Sequence, residues 1–252
     1  MLINEEEVEK VIIKKNTILK VAWLIYFIIV LNYNDLPGMQ MFSLITMVLL
    51  TVFCVPRKLI SSNFYTGKWY LIFFLYMTIS FLWAVFKDRS SGVYEATFRV
   101  LIFVLCLDVF CDSRENTDYM LNATIFAGVF YAVHVLMTTP VSYYGTLNVG
   151  VSVNAQRNFV GQVSALISII CFVLLMSEKQ RKKRCLYLFS MILCYFVACI
   201  SGSRKAFLML PLAVVLYMLT QESLNKKLQY LLILFVSFVL FFTIFAQSAY
   251  LQ

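Results

Sequence analysis

Apolar residues run along this chain in long continuous stretches, separated by short polar intervals. They lack the alternation over about ten residues that marks a membrane β-strand. A helix must present about 20 apolar residues to cross a hydrocarbon core of ~30 Å. Reading for such runs predicts nine helical spans, at 17–33, 39–55, 68–86, 94–111, 119–137, 159–177, 185–200, 206–220 and 228–247. Residues 201–205 form a tight connector between the seventh and eighth. The longest polar interval, 138–158, contains Tyr143, Tyr144 and Gly145. The predicted class is all-α: one polytopic transmembrane helical domain over 1–252, opening with a polar segment at 1–16.

Composition leads to the same class. Hydrophobic residues make up 62% of the 252 and charged residues 13%, with a mean hydropathy of +0.83. Soluble domains average roughly 45–50% apolar and about 25% charged residues. One water-soluble core could not hide this excess, and a disordered chain would lack it. Glu5, Glu6, Glu7 and Glu9 replace the basic leader that a cleavable signal peptide needs. The seven cysteines lie in or beside apolar runs without a zinc-type spacing, and read as small packing residues.

The net charge of +8 is explained by topology rather than by nucleic acid. With the N-terminus cytoplasmic, inner segments hold 15 of the 21 basic residues, including Lys179, Arg181, Lys182, Lys183 and Arg184. Outer segments hold five, and Arg99 lies within a span. This is the positive-inside asymmetry, and nine crossings place the C-terminus outside.

The exceptions to that asymmetry carry the candidate chemistry. The fourth, sixth and eighth spans begin at the outer face, and each has a cation near its start: Arg99, Arg157, and Arg204 with Lys205. A helix N-terminus adds unsatisfied N–H groups and about half a positive charge. Arginine grips two phosphate oxygens at once with its planar fork. Together these predict an outer anion site, with Asn158, Ser201 and Ser203 as neighbouring polar groups. Each feature also has a plainer reading. Arg99 is four residues after Glu95 and could pair with it, and Arg157 with Asn158 could mark an interface and cap a helix. Asp108, near the inner end of the fourth span, reads as a solvated carboxylate. The lone histidine, His134, has no Ser or Cys nucleophile at defined spacing. Gly-rich phosphate loops are absent from the sequence.

Two segments resemble the O-antigen polymerase and O-antigen ligase family. Ile200-Ser201-Gly202-Ser203-Arg204-Lys205-Ala206-Phe207 is similar to that family's small-Gly-Ser-Arg-x-Ala segment. Asn154-Ala155-Gln156-Arg157-Asn158-Phe159-Val160-Gly161 is similar to its Asn-rich stretch before a mid-chain helix. The arginine-bearing span at 94–108 fits the series, so the resemblance covers about half the chain, 94–220. It implies a glycosyltransferase of a bacterial cytoplasmic membrane. Such an enzyme takes a glycan from undecaprenyl diphosphate and either extends an O-antigen, capsule or exopolysaccharide or passes the glycan to another acceptor. It implies no nucleotide sugar, metal or other cofactor, because the lipid diphosphate is the leaving group. Arg204 and Arg157 would stabilise that leaving group, with Arg99, Asn158, Ser201, Ser203 and Lys205 binding substrate. Expected partners are the lipid-linked glycan, the bilayer and other polysaccharide-export membrane proteins. Family members usually have a large external loop and further spans in the C-terminal half, so this sequence reads as the N-terminal part of such an enzyme or a shortened relative. The alternative class is a polysaccharide-lipid flippase or other multi-span transporter, for which Pro211 in the eighth span and Asp108 are the hints.

Overall fold

The computed structural model describes residues 5–32, 37–54, 65–83, 87–146, 148–150 and 155–220, together with six helical positions between 231 and 239. The described residues contain eight α-helices and no strand: α1 (Glu5–Asn32), α2 (Pro37–Cys54), α3 (Tyr65–Leu82), α4 (Lys87–Phe110), α5 (Arg114–Thr138), α6 (Arg157–Ser177), α7 (Arg181–Ile200) and α8 (Arg204–Leu219). A 3₁₀ turn, Val141–Tyr143, interrupts the connection from α5 to α6. Among the described residues, four helices are long and apolar enough to cross a membrane: α1 from Lys15 to Asn32, α5, α6 and α7. Two apolar helices, α2 and α3, are shorter, α8 has 16 residues, and α4 carries Glu95, Arg99 and Asp108 within its apolar half. Most of the predicted ninth span lies outside the described residues.

Exposure identifies the solvent as lipid. Phe42 and Phe53 are each 72% exposed, Trp69 66% and Phe189 63%, on helices whose outward residues are largely apolar. A helix apolar all round belongs in a membrane or a large core. The chain is membrane-embedded.

The described residues fall into two compact units, one within 5–29 and 37–123 and the other comprising 30–32 and those from 124 onward. In the first unit, Trp23, Tyr26 and Phe27 of α1 meet Phe103 of α4 with ring centroids 5.7–6.2 Å apart. Trp23 also lies 5.7 Å from Phe110. Helices α3 and α4 form an antiparallel pair. At one end Tyr94 stacks on Phe81 at 5.1 Å; at the other, Asp108 Oδ2 accepts the Gly67 N–H at 2.5 Å. Gly67 is the third residue of α3. The carboxylate therefore serves an N–H group that has no acceptor within its own helix. Asp108 caps a neighbouring helix rather than standing free in solvent.

The second unit is built on small residues. Gly161, Ser164, Ala165 and Ser168 are buried on one side of α6, and Ser190, Cys194 and Ala198 recur at four-residue spacing on α7. Small side chains let helix backbones approach, and van der Waals packing then holds them together in lipid. Helix α8 runs beside α6. Gly161 adjoins Ala206 near the two starts, and Phe172 meets Tyr217 at 5.5 Å, eleven residues further along each helix. Pro211 lies inside α8 and leaves the carbonyl four residues earlier without its helical donor. That carbonyl belongs to Phe207, and the Tyr195 hydroxyl of α7 donates to it at 3.3 Å.

Candidate functional site

The starts of α6 and α8 form one end of the second unit. Arg157 is the first residue of α6 and half-buried; Asn158, the second, is exposed. Arg204 and Lys205 are the first two residues of α8, and both are exposed. Gly161 lies one turn beyond Arg157. A β-carbon there would stand 2.4 Å from Ser201 Oγ and 2.9 Å from the β-carbons of Ser203 and Ala206. Only a residue without a side chain permits this approach, which draws the two basic helix starts together.

The Ser201-Gly202-Ser203 connector is the mould for this end. Ser201 is fully buried. Its hydroxyl donates to the Ala198 carbonyl at 2.7 Å and accepts the Ser203 N–H at 3.2 Å. Gly202 has φ +66°, a left-handed conformation that favours glycine. A β-carbon on it would also lie 2.5 Å from the Gly145 carbonyl oxygen. Gly145 in turn donates its N–H to the Ile200 carbonyl at 2.6 Å, closing the C-terminus of α7. The loop after α5 is thus fastened to the α7–α8 turn.

Both helix starts lack a side-chain cap. Gln156 and Ser203 occupy the N-cap positions of α6 and α8, and neither makes a capping hydrogen bond. Asn158, expected as a possible cap, instead sits inside the first turn. Ser203 is buried and Ser201 is committed to the connector, so the outward groups at this end are Arg157, Asn158, Arg204 and Lys205. Three cations and two uncapped helix starts, each start carrying partial positive charge, make the end electropositive.

Arg99 belongs to the first unit and departs from the expected pattern. The mostly polar residues 87–93 prolong α4 ahead of its apolar run, so Arg99 is twelve residues past Lys87, about 18 Å at 1.5 Å per residue. It is not at a helix start. Its Nη2 donates to Glu95 Oε1 one turn away, so its charge is matched on the same helix, while its Nε is buried without a hydrogen-bond partner. His134 is half-buried in α5, and the Thr138 hydroxyl donates to its backbone carbonyl at 2.7 Å. No group of three His, Cys, Asp or Glu side chains is placed to hold a metal among the described residues.

Sequence reasoning found the cations but missed the glycines that bring them together. The signal was present: Gly161 closes the Asn-rich segment, and Gly202 sits between two serines. What each glycine packs against depends on tertiary contact. The two transporter hints both have structural employment, Asp108 at the start of α3 and Pro211 through Tyr195. No family model, curated protein or solved structure matches the chain.

Proposed function

We propose that this protein is a membrane glycosyltransferase of the O-antigen polymerase or ligase type, acting on a glycan carried by undecaprenyl diphosphate. The observation that carries the reading is the apposition of two basic, uncapped helix starts, α6 with Arg157 and α8 with Arg204, through Gly161. These are the two segments whose sequences resemble the family. Arg204 and Arg157 would bind the diphosphate, with Asn158 and Lys205 beside them and Ser201 and Ser203 holding the turn.

During transfer, the acceptor hydroxyl oxygen bonds to the anomeric carbon and passes its proton to a base. The bond from that carbon to the diphosphate breaks, and its electron pair stays on the diphosphate oxygen. Negative charge therefore grows on the leaving group. Fixed cations and helix N–H groups stabilise that charge more strongly where water is scarce. No metal is needed, since the diphosphate leaves with its charge already balanced by the protein.

The reading places nine spans in a bacterial cytoplasmic membrane, with the N-terminus inside and the α6–α8 end outside. Contacts within each unit support alternating passage. Lys20, early in the apolar part of α1, pairs at 2.6 Å with Glu115 at the start of α5. Gly67 at the start of α3 meets Asp108 near the end of α4, and Gly145 between α5 and α6 meets Ile200 at the end of α7. Each contact joins ends assigned to the same face.

The test is glycan transfer in proteoliposomes supplied with an undecaprenyl-diphosphate oligosaccharide and an acceptor glycan. The reading expects lengthened glycan from the native protein and none from Arg204→Ala inserted at equal level. Normal transfer by Arg204→Ala would overturn the role of that arginine. Movement of the lipid between leaflets without any new glycosidic bond would replace the enzyme by a transporter.

A further inference from the structure

At the opposite end of α6, the turn into α7 concentrates charge in a way that orientation in the membrane does not require. Lys179, Arg181, Lys182, Lys183 and Arg184 fall within six residues, and all five are exposed. One carboxylate accompanies them. Glu178 Oε1 accepts the N–H groups of Lys179 and Gln180 at 2.8 and 2.9 Å, and its Oε2 lies 3.8 Å from Lys183 Nζ. Arg181, Lys182 and Arg184 have no acidic partner among the described residues. They also occupy the first turn of α7, where the helix dipole disfavours cations. The local fold therefore leaves repulsion that an external anion would relieve.

The surface below those cations decides which anion. Lys182, Leu186 and Phe189 lie on one face of α7, four and three residues apart, and the two apolar side chains are 60% and 63% exposed. Arg181, Cys185, Leu188 and Ile192 form a second such row, with Leu188 41% and Ile192 51% exposed. Each row begins with a cation and continues as exposed hydrocarbon along a helix long enough to cross the bilayer. A free phosphate or an acidic protein would engage only the head of a row and leave its tail to bulk lipid. A phospholipid matches both. We propose that the α6–α7 turn is a binding surface for anionic phospholipid, with headgroup phosphates on Arg181, Lys182 and Arg184 and acyl chains along Leu186, Leu188, Phe189 and Ile192. Bound lipid fixes the depth of the α6–α7 hairpin, and this surface is separate from the α6–α8 end and independent of its chemistry.

The experiment is native mass spectrometry of the full chain released from micelles containing equal phosphatidylglycerol and phosphatidylcholine. The native protein should retain phosphatidylglycerol preferentially, by about fivefold for each cation engaged. The triple variant Arg181→Gln, Lys182→Gln, Arg184→Gln should lose the preference, while Arg114→Gln, an exposed cation at the start of α5, should keep it. The charge-preserving pair Arg181→Lys, Arg184→Lys should also keep it, which separates loss of charge from loss of fold. Equal retention of the two lipids by the native protein would overturn the proposal. So would an unchanged preference in a triple variant of native helix content, or displacement of phosphatidylglycerol by inorganic phosphate at low millimolar concentration.

Discussion

Gly161 of α6 and Ala206 of α8 lie so close that a β-carbon on the glycine would stand 2.9 Å from that of the alanine. The same hypothetical carbon would reach within 2.4 Å of Ser201 Oγ, a hydroxyl already held by two hydrogen bonds. The neighbours therefore cannot yield without breaking the connector. Gly161→Ala should cost about 1–3 kcal/mol through overpacking. Thermal unfolding in detergent measures the loss, and Arg157 and Arg204 should be driven apart, so affinity for a diphosphate lipid should fall with it.

Gly202→Ala meets two penalties at once. Its φ of +66° is unfavourable for a side-chain-bearing residue, and the new methyl would lie 2.5 Å from the Gly145 carbonyl oxygen. Strain of this kind costs on the order of 1–3 kcal/mol before the overlap is counted. The variant should be less stable than Gly38→Ala, where nothing lies within 4 Å of the added carbon. Side-by-side melting curves for the two variants check the order.

Tyr195 serves a vacancy that Pro211 creates, since its hydroxyl donates to the Phe207 carbonyl. Tyr195→Phe should destabilise by about 1 kcal/mol, the net worth of a buried hydrogen bond. With Pro211→Ala in place, the helix supplies its own donor and the effect of Tyr195→Phe should shrink. A double-mutant cycle reads this coupling directly. An equal effect in both backgrounds would contradict the relationship.

Asp108→Ala should loosen the start of α3 by about 1 kcal/mol, as loss of a helix cap does. Asp108→Asn keeps an oxygen acceptor for the Gly67 N–H and should lose less. Hydrogen exchange at the first turn of α3 distinguishes the two variants.

The Glu178 carboxyl is held below its ordinary range, chiefly by the N–H of Gln180, with the N–H of Lys179 and the charge of Lys183 adding to it. A depressed carboxylate contributes stability above its unfolded pKa and loses it as pH falls through the folded one. Native protein should therefore exceed Glu178→Gln in stability at neutral pH, and the difference should close below about pH 4.5, the ordinary value. Melting temperatures of both proteins across pH 3–7 measure it. A gap that widens on acidification would contradict the assignment.

Much of the helical architecture was legible because lipid imposes a simple rule: every backbone polar group must be satisfied within its own segment. Continuous apolar runs therefore announced helices, and Arg157 and Arg204 announced two of their starts. The same rule misplaced the start of α4, since residues 87–93 are mostly polar yet helical, and Arg99 moved from a helix end to its middle. Pairings between segments were hidden for a different reason. Asp108 with Gly67, Tyr195 with Phe207 and Gly161 with Ser201 are far apart in sequence, and nothing in the local pattern names the partner. Glycine is the hardest case, because its contribution is the absence of atoms.

The starts of α6 and α8 are proposed to hold a lipid diphosphate together. The most direct measurement is binding of undecaprenyl diphosphate to the full chain in nanodiscs, compared between native protein, Arg157→Ala, Arg204→Ala and the double variant. The native protein should bind saturably, each single variant should lose tenfold or more, on the order of the 1.5–3 kcal/mol of a charged hydrogen bond, and the double variant should show no detectable binding. Equal binding by the native and double-variant proteins, with helix content unchanged, would contradict it.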